Sequence, residues 1–509
     1  MKAPLVAAAA GGVILSLAFP PLGLDPVAWV AFIPLLWAIE RSRTPIEAAL
    51  HGAAFGIAFF LLDLRWVSIP LTVHGHFQTL PAIALLVAMV LVLTLAPAAF
   101  GWLTAMFART GWRPAVTAAF TWTALEYVRA TTLGGFPWDL AGYTQGDRLV
   151  MAQIADVTGV YGISFLVVLV NAALWEVLRR WISDDRPAWA LVTAAAIAVA
   201  VTLGYGIDRL ARFPAETGRR GFPVGVLQAN IPQEIKWTEE ARDFTFTAYE
   251  NIGGAAVNEG ARLLIWPETS VPLIFGPRSP GWKYPCDIST RLKAPMLVGA
   301  PSEIVEEDGK SRYYNSAFLV DGQSLRYRYD KIHLVPFGEF MPLSWLLPIG
   351  PGIAAREEDY TPGEFMTVMH VNGCPDFSVL ICYEAIFPDL SRLAVANGAR
   401  MLVNITNDGW FGDTAAPYQH FRMARMRSIE NRVPLVRCAN TGISGAFDQA
   451  GRVVRSIPLE TEGFFVVNVP PPTDLKSFYS QWGDLFAWGC IVTVVLIGIH
   501  SIRRTVLSS

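Results

Sequence analysis

Val379-Leu380-Ile381-Cys382-Tyr383-Glu384 is an apolar run that ends on a thiol, a phenol and a carboxylate. Short continuous apolar runs bounded by turn formers read as strands covered on both faces. Similar runs lie before it, at Val224–Leu227, Leu263–Ile265, Met296–Val298 and Ser316–Val320, and after it, at Met401–Ile405, Leu435–Arg437 and Phe464–Val467. Helix-like stretches at Thr238–Asn258 and Tyr418–Asn431 fall between them. Strands alternating with helices predict a layered α/β domain.

Outward from that domain the texture changes. The chain has 509 residues, 53% hydrophobic and 16% charged, with a mean hydropathy of +0.37. Soluble domains average about 25% charged residues. Residues 1–207 hold only 22 of the 83 charged residues. A bilayer core needs about 20 apolar residues per helix. Candidate spans lie at 3–18, 26–39, 46–67, 80–107, 114–131, 158–178 and 188–207, with an eighth at 485–502. The expected organisation is therefore a membrane part over 1–207, an extramembrane domain over 208–484, and a C-terminal helix with its tail over 485–509.

Charge sets the expected orientation. With the N-terminus in the cytoplasm, the cytoplasmic connections carry Arg41, Arg43, Arg109, Arg113, Arg179, Arg180 and Arg186, and the tail carries Arg503 and Arg504. The opposite loops carry Arg148 alone. The positive-inside rule then puts both termini in the cytoplasm and 208–484 outside, which in a bacterium is the periplasm. A net charge of -3 argues against a nucleic-acid binder, and 29 Phe, 17 Trp and 14 Tyr exclude disorder. Five cysteines without a Cys-x-x-Cys pair give no metal framework, so no metal is expected.

Three segments of the α/β domain can carry chemistry. Leu263–Glu268 is a strand running into a carboxylate; Tyr329–Glu339 holds Lys331 and, eight residues on, Glu339; the third is Val379–Glu384. Each has a plainer reading: a capping Glu, a surface Lys, a small buried Cys. Together they form a set. A thiol nucleophile needs a base, which Glu268 supplies, and a cation for the developing oxyanion, which Lys331 supplies. Open α/β sheets put such groups at the carboxyl ends of strands.

The motifs Trp-Pro-Glu-Thr at 266–269, Lys-Ile-His-Leu-Val-Pro-Phe-Gly-Glu at 331–339, Ile-Cys-Tyr-Glu at 381–384 and Asn-Asp-Gly-Trp-Phe-Gly at 407–412 resemble those of the nitrilase superfamily. With the eight candidate spans, the resemblance is to its membrane-bound apolipoprotein N-acyltransferases, over nearly the whole chain. It implies an αββα sandwich joined to a bundle of eight transmembrane helices. It also implies acyl transfer by a Glu268-Lys331-Cys382 triad without a cofactor. The donor is a phospholipid, with phosphatidylethanolamine expected. The acceptor is the diacylglyceryl-cysteine N-terminus of an apolipoprotein. Glu339, Tyr383, Glu384, Trp237 and Asn315 match family positions that bind substrate or support the triad. Packing under a loop competes for Trp237, and a turn role for Asn315.

Other features receive structural readings. His333 lies two residues from Lys331, but Glu268 is the cleaner base; Asp408 sits in an Asn-Asp-Gly turn. Glu126 and Arg129 lie three apart on one helical face and read as an ion pair. Gly134–Trp138 is expected to sit at the outer boundary, near lipid headgroups. The apolar stretch Phe340–Ile349 is expected to act as a lid, with Val271–Phe275 as the opposite lip. A membrane-tethered amidase is the alternative enzyme, although one anchor would suffice for it. A transporter would show matching broken halves, which this sequence lacks.

Overall fold

The computed structural model describes residues 2–74, 78–132, 134–183, 187–215, 221–233, 235–277, 279–307, 309–341, 359–473 and 475–508. The chain forms two compact units. The first comprises Met1–Ser68, Thr79–Phe213 and Ser477–Ser509; the second comprises Ile69–Gln78 and Pro214–Lys476.

The first unit is helical. Its helices are α1 (Lys2–Ser16), α2 (Ile33–Glu40), α3 (Pro45–Asp63), α4 (Thr79–Ala108), α5 (Pro114–Thr131), the short α6 (Leu149–Ala152) and α7 (Ala155–Thr158), α8 (Val160–Ser183) and α9 (Trp189–Arg212). The C-terminal helix Leu485–Ser508 completes it. Five described helices are long and apolar enough to cross a membrane: α3, α4, α8, α9 and the C-terminal helix. Eight spans are thus more than these helices carry. The expected span at 26–39 is a 3₁₀ turn, Asp25–Trp29, followed by the eight-residue α2. Prolines start both pieces, and eight residues rise only about 12 Å. Hydropathy counts apolar residues but does not register that break.

Small residues let the helices of this unit approach closely. A Cβ on Gly52 of α3 would strike the Pro97 carbonyl of α4, and one on Gly101 of α4 would strike the Ala48 carbonyl of α3. The C-terminal helix is tied to the turn after α4. Thr110 and Ser501 hydroxyls lie 2.7 Å apart, and Arg504 donates to the Thr110 carbonyl at 2.8 Å. Glu126 and Arg129, which attract one another, also fasten the chain that follows α5. Glu126 accepts from the Ala141 N–H at 2.8 Å, and Arg129 donates to the carbonyls of Phe136 and Trp138 at 2.9 and 3.1 Å. Trp138 is buried against Trp66, with centroids 4.9 Å apart, so its ring packs within the unit.

The second unit contains two six-stranded sheets. Its strands are β1 (Phe222–Gln228), β2 (Leu263–Ile265), β3 (Met296–Val305), β4 (Ser311–Asp321), β5 (Ser324–Asp330), β6 (Val368–Met369), β7 (Phe377–Ile381), β8 (Met401–Thr406), β9 (Leu435–Ala439), β10 (Ser444–Phe447), β11 (Val453–Ile457) and β12 (Gly463–Val469). The first sheet runs β12-β1-β2-β3-β4-β5 and the second β11-β10-β9-β8-β7-β6. Each has a parallel centre, β1-β2-β3 or β7-β8-β9, flanked by antiparallel strands. The central strands are buried on both faces, so they are apolar almost throughout.

The sheets pack face to face. The Cys438 thiol of β9 lies 3.2 Å from the carbonyls of Leu227 in β1 and Ile265 at the end of β2. Helices α10 (Glu239–Asn258) and α11 (Lys283–Leu292) cover the first sheet, burying Phe246, Tyr249, Cys286 and Ile288 against Leu264, Trp266 and Val298. Helices α12 (Pro388–Ala396) and α13 (Ala415–Asn431) pack on the second. The result is an αββα sandwich.

Candidate active site

Three strand ends and one long turn converge on a buried polar cluster. Glu268 follows β2. Trp266, fully buried, stacks on Tyr249 of α10 with centroids 4.3 Å apart, and its backbone N–H donates to the Leu297 carbonyl of β3 at 2.8 Å. The next turn presses on Gly299 of β3. A Cβ there would lie 2.6 Å from the Pro267 carbonyl oxygen and 2.8 Å from the Glu268 Cα. Lys331 follows β5; its N–H donates to the Asn315 carbonyl at 2.9 Å, and its carbonyl accepts from the Gly363 N–H at 2.8 Å. Cys382 ends β7 with φ +51°, a conformation L-residues adopt at a cost of about 1–2 kcal/mol. A 3₁₀ turn, Cys382–Ile386, leads on to α12.

The side chains meet in a charged core. Lys331, 1% exposed, lies 2.8 Å from Glu339 and 3.7 Å from Glu268. Asn315 Nδ2 bridges the two carboxylates, at 2.8 Å to Glu268 and 2.6 Å to Glu339. The second oxygen of Glu268 accepts from the Asn407 N–H at 2.9 Å, just past β8. The second oxygen of Glu339 accepts from the Val335 N–H at 2.8 Å. Each carboxylate is therefore held by two kinds of donor and faces the same ammonium.

Electrostatics follow from burial. Burial opposes charge on Lys331, but Glu339, Glu268 and Cys382 outweigh it and hold the ammonium protonated well above the usual lysine range. Burial and then the Glu268 carboxylate push the Cys382 thiol up, while Lys331 pulls it back. Cys382 thus rests as a thiol, and any reaction through its thiolate needs a base. A second lysine lies on the far side of Glu268. Lys236 is buried and donates to the Glu268 carbonyl at 3.3 Å and to Thr269 Oγ1 at 2.9 Å. Burial lowers it to about 8, against the pull of Glu268. Among the described residues no cluster of His, Cys, Asp and Glu is suited to a metal ion.

Known families match both parts of the chain. The profile described as the apolipoprotein N-acyltransferase N-terminal domain covers residues 11–173, and the carbon-nitrogen hydrolase profile covers 223–473. The chain is 38% identical to the apolipoprotein N-acyltransferase of Geobacter metallireducens, across 97% of this chain and 94% of that one. The chain belongs to the apolipoprotein N-acyltransferase family. It is also 35% identical to the apolipoprotein N-acyltransferase of Methylococcus capsulatus, over 100% of this chain and 98% of the relative. Among solved structures, an amidase from Nesterenkonia sp. aligns with a TM-score of 0.38 at 19% identity, covering 53% of this chain and 95% of that one. Saccharomyces cerevisiae Nit3 aligns at 0.39 and 18%, covering 50% and 91%.

Within this apolipoprotein N-acyltransferase family member, Glu268, Lys331, Glu339 and Asn315 share one hydrogen-bonded cluster, and Cys382 is electrostatically coupled to it. Glu384 faces elsewhere. Its carboxyl accepts from the Tyr329 hydroxyl at 2.8 Å and from the N–H groups of Ile332, His333 and Ile381 at 2.7, 3.2 and 2.6 Å. Burial raises it to about 7, against those donors. It brackets the turn that begins at Cys382 to the segment carrying Lys331. Tyr383 packs edge-on against Phe387, with centroids 5.1 Å apart. His333 lies against Phe387 at 3.8 Å. Trp237 is 47% exposed, beside the buried Lys236.

Of the two expected mobile borders, one changes. Residues 342–349 of the expected lid lie outside the described residues. Val271 and Phe275 of the expected lip belong to the core: their N–H groups donate to the carbonyls of Gly299 and Pro301 at 3.1 and 2.9 Å. The sequence reading passed over Lys236, and its one visible mark was a lysine beside the singled-out Trp237.

Proposed function

We propose that the protein transfers an acyl chain from the sn-1 position of a phospholipid to the α-amine of a diacylglyceryl-cysteine N-terminus, through a thioester on Cys382. What carries this reading is the buried grouping of Glu268, Lys331 and Cys382 in a chain related along its length to apolipoprotein N-acyltransferases. Glu268 takes the thiol proton as Sγ attacks the ester carbonyl. Lys331 and the Tyr383 N–H stabilise the oxyanion. The ester C–O bond breaks, the proton passes to the leaving oxygen, and a lysophospholipid departs. The amine then attacks the thioester, the C–S bond breaks, and a proton from the amine returns to sulfur through Glu268. A thioester is reactive enough toward an amine to need no further activation.

Burial protects the intermediate. Glu268 is 6% exposed and Cys382 8%, so bulk water has little access to the acyl group. In this reading the chain resides in the bacterial inner membrane, with both termini cytoplasmic and 208–484 periplasmic. Phosphatidylethanolamine is the expected donor. Glu339 and Asn315 orient Lys331 and Glu268, while Tyr383, Glu384 and Trp237 support or contact substrate.

The test is the intact mass of the purified protein after incubation with phosphatidylethanolamine. A hydroxylamine-labile acyl adduct is expected on the parent, on Cys374→Ala and on Cys438→Ala, and none on Cys382→Ala. A diacylated lipopeptide added next should gain the acyl chain. No adduct on folded protein with any phospholipid, together with turnover of small amides, would replace this reading with a membrane-tethered amidase.

A further inference from the structure

A second polar network, wholly buried, lies under the nucleophile's backbone. The Cys382 carbonyl faces two side chains: His420 Nε2 of α13 at 3.0 Å and Asn404 Nδ2 of β8 at 3.4 Å. His420 Nδ1 lies 3.1 Å from Asp408 Oδ1 and 3.1 Å from a guanidinium nitrogen of Arg437 in β9. That nitrogen also donates to Asp408 Oδ2 at 2.6 Å, and the other terminal nitrogen of Arg437 donates to Asn404 Oδ1. Asp408 Oδ1 accepts from the Thr406 hydroxyl at 2.9 Å. All of these residues are buried.

The partners decide the state of the ring. A carbonyl only accepts, so Nε2 must carry the hydrogen. Asp408 Oδ1 has room for a hydrogen from Nδ1 beside that from Thr406, but Arg437 can only donate, so its nitrogen 3.1 Å from Nδ1 calls for a lone pair there. Burial and then Arg437 lower the His420 pKa, which agrees with a neutral ring. Arg437 thus sets the tautomer, and the tautomer supplies the donor to Cys382.

Holding that carbonyl has a consequence one bond further. The 382–383 peptide is planar, and its N–H points opposite to its C=O. Donors that anchor the carbonyl on one side therefore aim the Tyr383 N–H to the other. We propose that His420, with Asn404, is a positioning residue for the oxyanion: it fixes the peptide plane whose N–H stabilises the tetrahedral intermediate. The proposal rests on Cys382 being the nucleophile, as in the proposed function. It assigns His420 no contact with substrate and no part in proton transfer.

Two reactions of Cys382 separate this role from a merely structural one. Acylation by a phospholipid passes through an oxyanion; alkylation by iodoacetamide does not. His420→Asn keeps a polar group toward Asp408 and Arg437 but is too short to reach the Cys382 carbonyl. It should slow acylation roughly 10²-fold, the scale of a small misplacement of a catalytic group. Alkylation of Cys382 should stay close to the parent rate. His420→Gln, whose amide nitrogen can stand where Nε2 stands, should recover most of the acylation. Equal loss in both reactions, or loss in neither, overturns the proposal. A tautomer measurement by ¹⁵N-histidine NMR on the parent needs no folded variant: a ring protonated on Nδ1 alone, or on both nitrogens, also overturns it. If the parent forms no Cys382-dependent adduct at all, the nucleophile assignment fails, and this inference fails with it.

Discussion

Lys236 brings a charge into the protein interior, where its nearest partners are a carbonyl and a hydroxyl. Its pKa of about 8, against 10.5 in the open chain, has a thermodynamic sign. Between those values the unfolded chain binds the proton and the native one does not, so stability rises with pH across that window. Below it the ammonium is present in both states and its burial costs on the order of 3 kcal/mol. Lys236→Met should remove this dependence. The thermal midpoint of the parent in detergent is expected to gain on that of the variant as pH rises from 8 to 10. Parallel slopes would show that another group titrates. The residues legible in the sequence were those at strand ends: Glu268 and Cys382 each follow an apolar run, Lys331 follows the mixed segment Leu325–Tyr329, and position along a strand is a local property. Lys236 and His420 were not legible. A lysine in a loop and a histidine in a helix look ordinary until distant segments bury them. For Glu384 the sequence left support and substrate contact open, and its four donors make it a bracket.

At the scale of elements, β3 is a platform as well as a strand. Gly299 leaves room for the turn that carries Glu268, and the atoms a Cβ would meet are backbone atoms, which cannot rotate away. Gly299→Ala should therefore displace the Glu268 carboxylate. Acylation is expected to fall roughly 10²-fold, with a stability loss of about 1–3 kcal/mol. Acylation within threefold of the parent, on a folded variant, would mean that the turn yields without moving the carboxylate. The eight apolar runs read from the sequence lie in β1, β2, β3, β4, β7, β8, β9 and β12. Their burial forces them to be apolar, and that is what made them visible. Strand β11 was missed because four of its five residues are exposed, and β6 because it spans two residues. The same reasoning explains the expected helix at 26–39: composition reports what lipid tolerates, and only the placement of Pro26 and Pro34 reports where a helix must restart.

At the scale of the whole chain, the distribution of arginine carries the proposed topology. Alkaline phosphatase, active only outside the cytoplasm, tests it. Fusion after Pro214 should give active reporter; fusions after Thr110 or Arg504 should give none. The inverse pattern would place the site among cytoplasmic thiols and lipids and remove the acceptor from reach. The charge ledger was readable from the sequence because it needs no contacts. The division into units was less so. Ile69–Gln78, between α3 and α4, belongs with the second unit although the rest of that unit begins at Pro214. This has a consequence for biosynthesis. A ribosome delivers that short piece first and makes α4 through α9 before the rest of the unit with which it groups. The second unit is therefore discontinuous in the order of synthesis, and a fragment cut at Pro214 and Lys476 would lack one of its segments.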